Sequence, residues 1–236
     1  MNERERQKRA AAERAVAFVA SGMRLGLGTG STAKHVLDVL GEKLREGILR
    51  DIAGVATSRA TAEHARQCGI PIADLDAMPH LDLAIDGADE VDPRLDLIKG
   101  LGGALLWEKI VESAADRFVV VADESKLVTR LGERAPVPVE VVPFGWRTTL
   151  PALEAAGAAP TLRIAGDGRP FVTDGGHYIV DCRFESGIDD PPRTAALLRA
   201  PPGVVETGLF IGMATAVVVA GASVRVLERE HAASSR

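Results

Sequence analysis

Residues 23–44 read MRLGLGTGSTAKHVLDVLGEKL, and this stretch decides the fold class. MRLGLG (23–28) has the character of a short buried strand. It runs into Thr29-Gly30-Ser31-Thr32, where Ser31 or Thr32 can cap a helix whose apolar stripe is Val36, Leu37, Val39, Leu40 and Leu44. A strand that turns through glycine into an amphipathic helix is the repeating element of an α/β sheet. The alternation continues in both directions. Residues 3–20 carry apolar and alanine positions at helical spacing and stop at Ser21-Gly22. Downstream, IAGVAT (52–57) predicts a strand, SRATAEHARQCG a helix and GIPIADL a short strand. LDLAID (81–86) predicts a strand, ALLWEKIVESA (104–114) a helix and RFVVVAD (117–123) a β-branched strand. Strands and helices alternating at this spacing predict a mostly parallel sheet covered by helices on both faces.

The texture changes near residue 131. APVPVEVVPFGW is punctuated by proline, and the chain to about residue 202 reads helix, strand, turn, strand, helix. TLRIAG and HYIVDC flank DGRPFVTDGG with its Asp-Gly turn signals. A smaller inserted α+β domain is expected at 131–202, with 1–130 and 203–236 forming the larger one. PPGVVETGLF and ATAVVVAG read as core strands returning to that larger domain, and HAASSR as a frayed tail.

Composition narrows the function classes. The 33 acids and 28 bases leave a net charge of −5, and aromatic residues are only 4% of the 236. Such a chain has neither the basic footprint nor the stacking platform of a nucleic-acid binder. Cys68 and Cys182 lie far apart in no CxxC or Cys/His cluster, so two buried thiols in a reducing cytoplasm are expected rather than a disulfide framework or a structural zinc site. The N-terminus mixes both charge signs and offers no apolar secretory core. Thr207 to Val224 is uncharged over eighteen residues, but three glycines and a bunched AVVVA favour two short buried strands over a membrane span.

Four constellations fall at the ends of predicted strands, the edge where open α/β sheets bind ligands. Gly26–Thr32 joins a glycine-rich turn to a helix start with hydroxyls, which suits a phosphate, although a tight turn with an ordinary cap reads equally well. It is neither the dinucleotide GxGxxG nor a Walker A loop. DGADEVDPRLD (86–96) sets five carboxylates in eleven positions. A solvated acidic loop is the plain reading, while proton transfer and a divalent-ion site are the functional ones. Lys99-Gly100-Leu101-Gly102-Gly103 holds one of only six lysines, against 22 arginines. Its ammonium suits a developing oxyanion, and Glu108, one turn into the following helix, can reach back toward it. Asp123 to Lys126 offers a cap and a second cation. Histidines 35, 64, 80, 177 and 231 show no HxH or HExxH spacing, and no Gly-x-Ser-x-Gly elbow is present. The inventory suits proton transfer on a phosphorylated metabolite.

In order, GTGSTA, TSRAT (57–61), DLAIDGADEVD, IKGLGGALLWEK, VVVADESKLV, PVPVEVVPFGW, TDGGHYIVDC and PGVVETGLF resemble the ribose-5-phosphate isomerase A family from about residue 8 to about 221. The resemblance implies a metal-independent aldose–ketose isomerase of the non-oxidative pentose phosphate pathway, with no cofactor. It interconverts ribose 5-phosphate and ribulose 5-phosphate through a cis-enediolate. Also implied are a Rossmann-like domain with a small α+β domain and a homodimer or homotetramer. Carried over by position, the phosphate and substrate loop is Thr29, Gly30, Ser31 and Thr32. Asp86, Gly87, Ala88 and Asp89 form the second substrate loop, with Asp86 opening the sugar ring. Lys99, Gly100, Leu101 and Gly102 form the third. Glu108 is the base, with Asp86, Asp89 and Lys99 also catalytic, and Lys126 and Lys8 bind substrate. Trp107, Leu101 and Thr215 depart from the usual pattern, and Trp107 would either alter access to Glu108 or line a subunit contact. A related sugar-phosphate isomerase or lactonase is the competing enzyme. A repressor-type sugar-phosphate sensor is the competing binding module, but it needs a DNA-binding segment and has no use for Glu108 and Lys99.

Overall fold

A computed structural model describes residues 3–229, so the HAASSR tail and His231 lie outside the described residues. The chain runs through α1 (Glu3–Val16), β1 (Arg24–Leu27), α2 (Ser31–Arg45), β2 (Ala53–Ala56), α3 (Arg59–Gln67) and β3 (Leu83–Gly87). It continues through β4 (Glu90–Val91), β5 (Leu97–Ile98), α4 (Leu105–Ser113), β6 (Phe118–Asp123) and β7 (Val137–Val141). Then come α5 (Leu150–Ala155), β8 (Ala159–Leu162), β9 (Tyr178–Arg183), α6 (Pro191–Arg199) and β10 (Val204–Thr207). The last elements are β11 (Leu209–Phe210), β12 (Ala216–Ala220) and β13 (Val224–Glu228).

The main sheet has the order β13-β12-β6-β3-β1-β2, parallel throughout except for the antiparallel edge β13. Its period-two burial is complete. Leu83, Ile85, Val119, Val121 and Val218 pack toward α1 and α2, while Ala84, Phe118, Val120, Val217 and Val219 pack toward Leu105 of α4 and Phe210 of β11. Strand order reverses between β1 and β3, so the loops that leave their carboxyl ends diverge and open a crevice there. The apolar stripe expected on α2 is buried at Val36, Leu37, Val39 and Leu40, and Leu44 packs against the same core.

The second sheet is antiparallel, with order β10-β7-β9-β8, and a three-stranded ribbon β11-β5-β4 packs with residues of the main sheet and with Ile179 of β9. Two sequence expectations change here. Residues 204–207 do not return to the main sheet, because β10 pairs antiparallel with β7. The return strand is β12, and β11 pairs with β5. GIPIADL shrinks to a single bridge between Ile72 and Gly54, since Pro71 has no N–H to extend the ladder. No described helix is long and apolar enough to cross a membrane.

Candidate active site

The first loop is built by two glycines. A Cβ on Gly28 would lie 2.1 Å from Oδ1 of Asp86, so β1 and β3 can approach this closely only with hydrogen at that position. Gly30 has φ of 113° and is itself the cap of α2, whose first helical residue is Ser31. The expected side-chain cap from Ser31 or Thr32 is therefore absent, and both hydroxyls are left for other partners. Behind the loop, the Thr29 hydroxyl sits 2.7–2.9 Å from the hydroxyl oxygens of Thr57, Ser58 and Thr61. The Thr61 hydroxyl donates to the Gly28 carbonyl at 3.0 Å. The TSRAT segment thus braces the loop from the start of α3.

The second and third loops meet around Lys99. Asp86 is fully buried at the end of β3. Its Oδ1 accepts from the amides of Thr29 (2.8 Å) and Gly87 (2.6 Å), and its Oδ2 lies 2.8 Å from Lys99 Nζ. Lys99 Nζ also donates to the Gly87 carbonyl at 2.6 Å and stands 3.5 Å from Glu108 Oε2 and 3.2 Å from Glu112 Oε1. The rings of Phe118 and Phe210 lie 5.7 and 5.4 Å from the same ammonium. Glu108 and Glu112 are one helical turn apart on α4 and face the same point. Sequence reasoning passed over Glu112, although its i+4 spacing from Glu108 was readable. α4 is held in rotation by Lys109, which is pinned to Glu206 and to the carbonyls of Thr207 and Leu209 at 2.7–3.0 Å. Lys109 is therefore an interior tether and not a surface partner of Glu108.

One ammonium facing three buried carboxylates leaves negative charge uncompensated, and the proton affinities respond. Burial pushes the Glu108 carboxyl up to about 8, with Asp86 and Asp89 adding to the rise and Lys99 opposing it. Burial pushes Glu112 well above the carboxylate range. Burial alone would lower Lys99, but Asp86, Glu108 and Glu112 together hold it well above its usual value. Lys99 is held charged, while Glu108 and Glu112 are both shifted toward the protonated form.

A cleft of about 520 Å³, including its open mouth, brings together Thr29, Gly30, Ser31, Thr32, Gly87, Ala88, Asp89, Lys99, Gly100, Gly102, Glu108 and Lys126. Three of the expected site residues lie off this lining. Asp86 stands behind Lys99. The Leu101 side chain is exposed while its amide donates to Asp89 Oδ2 at 2.9 Å. Lys8 is buried on α1 against Glu5 at 2.8 Å. Trp107 is also off the lining and sits instead in an apolar groove with Val55, Leu75 and Ile110.

The acidic run 86–96 does not converge on one point. Glu90 accepts from the amides of Gly132, Arg134 and Ala135 at 2.6–2.7 Å and anchors the crossing into the second sheet. Asp92 closes its own turn through the amides of Arg94 and Asp96, and Asp96 holds Gly212 and Arg229. Cys182 is buried and Cys68 half-buried, and both are free thiols. Cys68, which has no cluster in sequence, lies beside His64 and Asp38 in space.

Known proteins resemble this chain in sequence and in fold. The family model described as ribose 5-phosphate isomerase A (phosphoriboisomerase A) matches residues 53–223. Ribose-5-phosphate isomerase A of Rhodopseudomonas palustris is 55% identical over 234 residues, covering 96% of this chain and 99% of the relative. A solved D-ribose-5-phosphate isomerase in complex with phospho-erythronic acid superposes with a TM-score of 0.93 at 44% identity, covering 97% of this chain and 100% of that one. The ribose 5-phosphate isomerase of Plasmodium falciparum gives 0.93 at 36% identity, covering 96% and 100%. With most of its length matched in both sequence and fold, the chain belongs to the ribose 5-phosphate isomerase A family.

Proposed function

We propose that the cleft interconverts D-ribose 5-phosphate and D-ribulose 5-phosphate by moving one proton between C1 and C2. The observation that carries this is the Glu108 carboxyl, buried in the first turn of α4, 3.5 Å from a charged lysine and open to the same cleft as the 29–32 loop. A single base able to reach two adjacent carbons needs an elevated proton affinity to act near neutrality. The ionised Glu108 takes the proton from C2 of the open-chain aldose. The C2–H electron pair forms the enediolate double bond, and negative charge passes to O1. Lys99 faces that oxygen and stabilises the charge as it develops. Glu108 then returns its proton to C1, while the O2 proton passes to O1, and the ketose leaves with atoms and charge unchanged.

The remaining site residues orient the substrate. The amino end of α2, with the Ser31 and Thr32 hydroxyls and the Lys126 ammonium across the cleft, suits the phosphate. Binding energy gained there orients the distant carbons. We assign Asp89, on the cleft lining, to proton exchange with the sugar hydroxyls during ring opening. We assign Asp86 to positioning Lys99 and the Thr29 loop, since both of its oxygens are already engaged. The planar carboxylate of the phosphorylated four-carbon acid bound by a relative matches the planarity of a cis-enediolate, which supports the same intermediate. Two free thiols support a reducing cytoplasm. The exposed apolar groove at Trp107 and Ile110, with Phe144 at 94% exposure, supports a homodimer or homotetramer.

The test is ribulose 5-phosphate formation from ribose 5-phosphate by purified protein in excess EDTA. Turnover there establishes the isomerase and dismisses a required accessible metal. Turnover that appears only on adding a divalent ion overturns metal-free stabilisation of the enediolate, and ligand binding without turnover favours a sensor.

A further inference from the structure

Across the Thr29–Gly30 loop from the proton-transfer cleft, α2 and α3 bring three side chains of metal-binding chemistry to one point. His64 lies on α3, and Cys68 caps its end four residues later, so both occupy one helical face. Asp38 comes from α2. Oδ1 of Asp38 lies 2.8 Å from Nε2 of His64, and Sγ of Cys68 lies 3.7 Å from that nitrogen and 3.8 Å from that oxygen. A tetrahedral Zn²⁺ with bonds of about 2.3 Å to sulfur and about 2.1 Å to nitrogen and oxygen holds its ligand atoms about 3.4–3.6 Å apart. The two sulfur separations are already within about 0.2 Å of that geometry, and the third must open by roughly half an ångström.

We propose that Asp38, His64 and Cys68 form a Zn²⁺ site of three protein ligands and one water. The oxygen, nitrogen and sulfur donor set favours a borderline ion over Mg²⁺ or Ca²⁺, which gain little from a thiol. A second cavity of about 520 Å³, including its open mouth and lined by His64, Lys34, Leu37 and the backbone of Gly28 and Gly30, gives the fourth position access to solvent. Thr29 and Gly30 line both this cavity and the catalytic cleft. The ion would therefore sit on the far side of the phosphate loop, and binding it involves none of the groups assigned to isomerisation. Binding replaces the thiol proton of Cys68 and the contact between Asp38 and His64, and one proton is released per ion. The alternative is a hydrogen-bonded tether between α2 and α3, with the thiol donating to Asp38.

Cobalt(II) titration of the metal-stripped full chain separates the two. The site predicts one equivalent bound, a near-ultraviolet sulfur-to-cobalt charge-transfer band, intense visible bands of a four-coordinate ion, and displacement by one equivalent of Zn²⁺. Cys68→Ser removes the charge-transfer band, and His64→Ala weakens Zn²⁺ binding by more than the roughly 10-fold that losing even an outer-shell partner costs. Cys182→Ala leaves both readouts intact. No charge-transfer band in the unaltered protein, or a band that survives Cys68→Ser, returns the cluster to a tether. The first of these outcomes is decisive even if a variant fails to fold.

Discussion

Lys99 Nζ and Asp86 Oδ2 are 2.8 Å apart with both side chains buried at the floor of the cleft, and Oδ1 of the same carboxylate accepts the Thr29 amide at 2.8 Å. One side chain therefore fixes both the cation proposed to face the oxyanion and the loop proposed to hold the phosphate. The two ends of the substrate are registered against each other through Asp86.

Asp86→Asn tests that link. Asparagine keeps an oxygen for the Thr29 and Gly87 amides but removes the negative charge that holds Lys99. We expect kcat to fall by about 10²-fold, the scale of a misplacement near 1 Å, with a smaller change in KM. Steady-state kinetics on ribose 5-phosphate check this. Unchanged kcat would show that Asp86 does not position Lys99.

Glu108→Gln removes the base while conserving shape. Turnover should fall by about 10²–10⁴-fold, the usual contribution of a general base. Binding of ribose 5-phosphate, measured by calorimetry, should persist. Stability supplies a second readout. The folded carboxyl titrates at about 8 against 4.5 for the ordinary group. Between those values the unfolded chain has released a proton that the folded chain keeps, so stability falls as pH rises. Removing the group should flatten that fall in denaturant titrations.

The same proton governs the rate profile. Below about 8 the free enzyme carries Glu108 mostly protonated, and a protonated base abstracts nothing. kcat/KM should therefore rise with pH to an inflection near that value and level off above it. The substrate phosphate titrates near 6, so the two inflections are separable. A profile flat from about pH 6 upward would place the base elsewhere.

Much of this site is legible in the chain because glycine and charge mark strand ends. GTGST follows β1 and DGAD closes β3, and parallel topology puts those two ends on one edge, while KGLGG follows β5 of the antiparallel ribbon and is brought to the same point by Lys99 reaching Asp86. Glu112 and Cys68 lie four residues beyond Glu108 and His64 on the same helical faces, but neither pair stands out in the chain without the structure. What the chain conceals is set by tertiary pairing. VVET at 204–207 is equally suited to either sheet, and its side is decided by the Gly208 amide donating to the Pro138 carbonyl and by Lys109 reaching across from α4. Asp38 joins His64 only through the packing of α2 on α3. Ser31 and Thr32 read as caps until the φ of Gly30 shows that glycine itself ends the turn.

Gly28→Ala probes the closest approach in the site. The added methyl would stand 2.1 Å from Asp86 Oδ1 and 2.5 Å from Asp86 Cα, and backbone atoms cannot swing aside as a flexible side chain would. The Gly28 amide is bonded to the Ile85 carbonyl at 3.0 Å and its carbonyl to the Thr61 hydroxyl, so β1 is held on both sides. Relief must come from prising β1 from β3 or from turning Asp86 off Lys99. The first costs stability, about 1–3 kcal/mol for overpacking of this kind. The second costs turnover. Gly166→Ala, with nothing within 4 Å and an unstrained backbone, is the control for a bare glycine substitution. Thermal unfolding and kinetics on both variants should show a lower Tm with reduced kcat for Gly28→Ala alone. Equal behaviour of the two would mean that β1 and β3 are farther apart at this point than a shared contact with Asp86 requires.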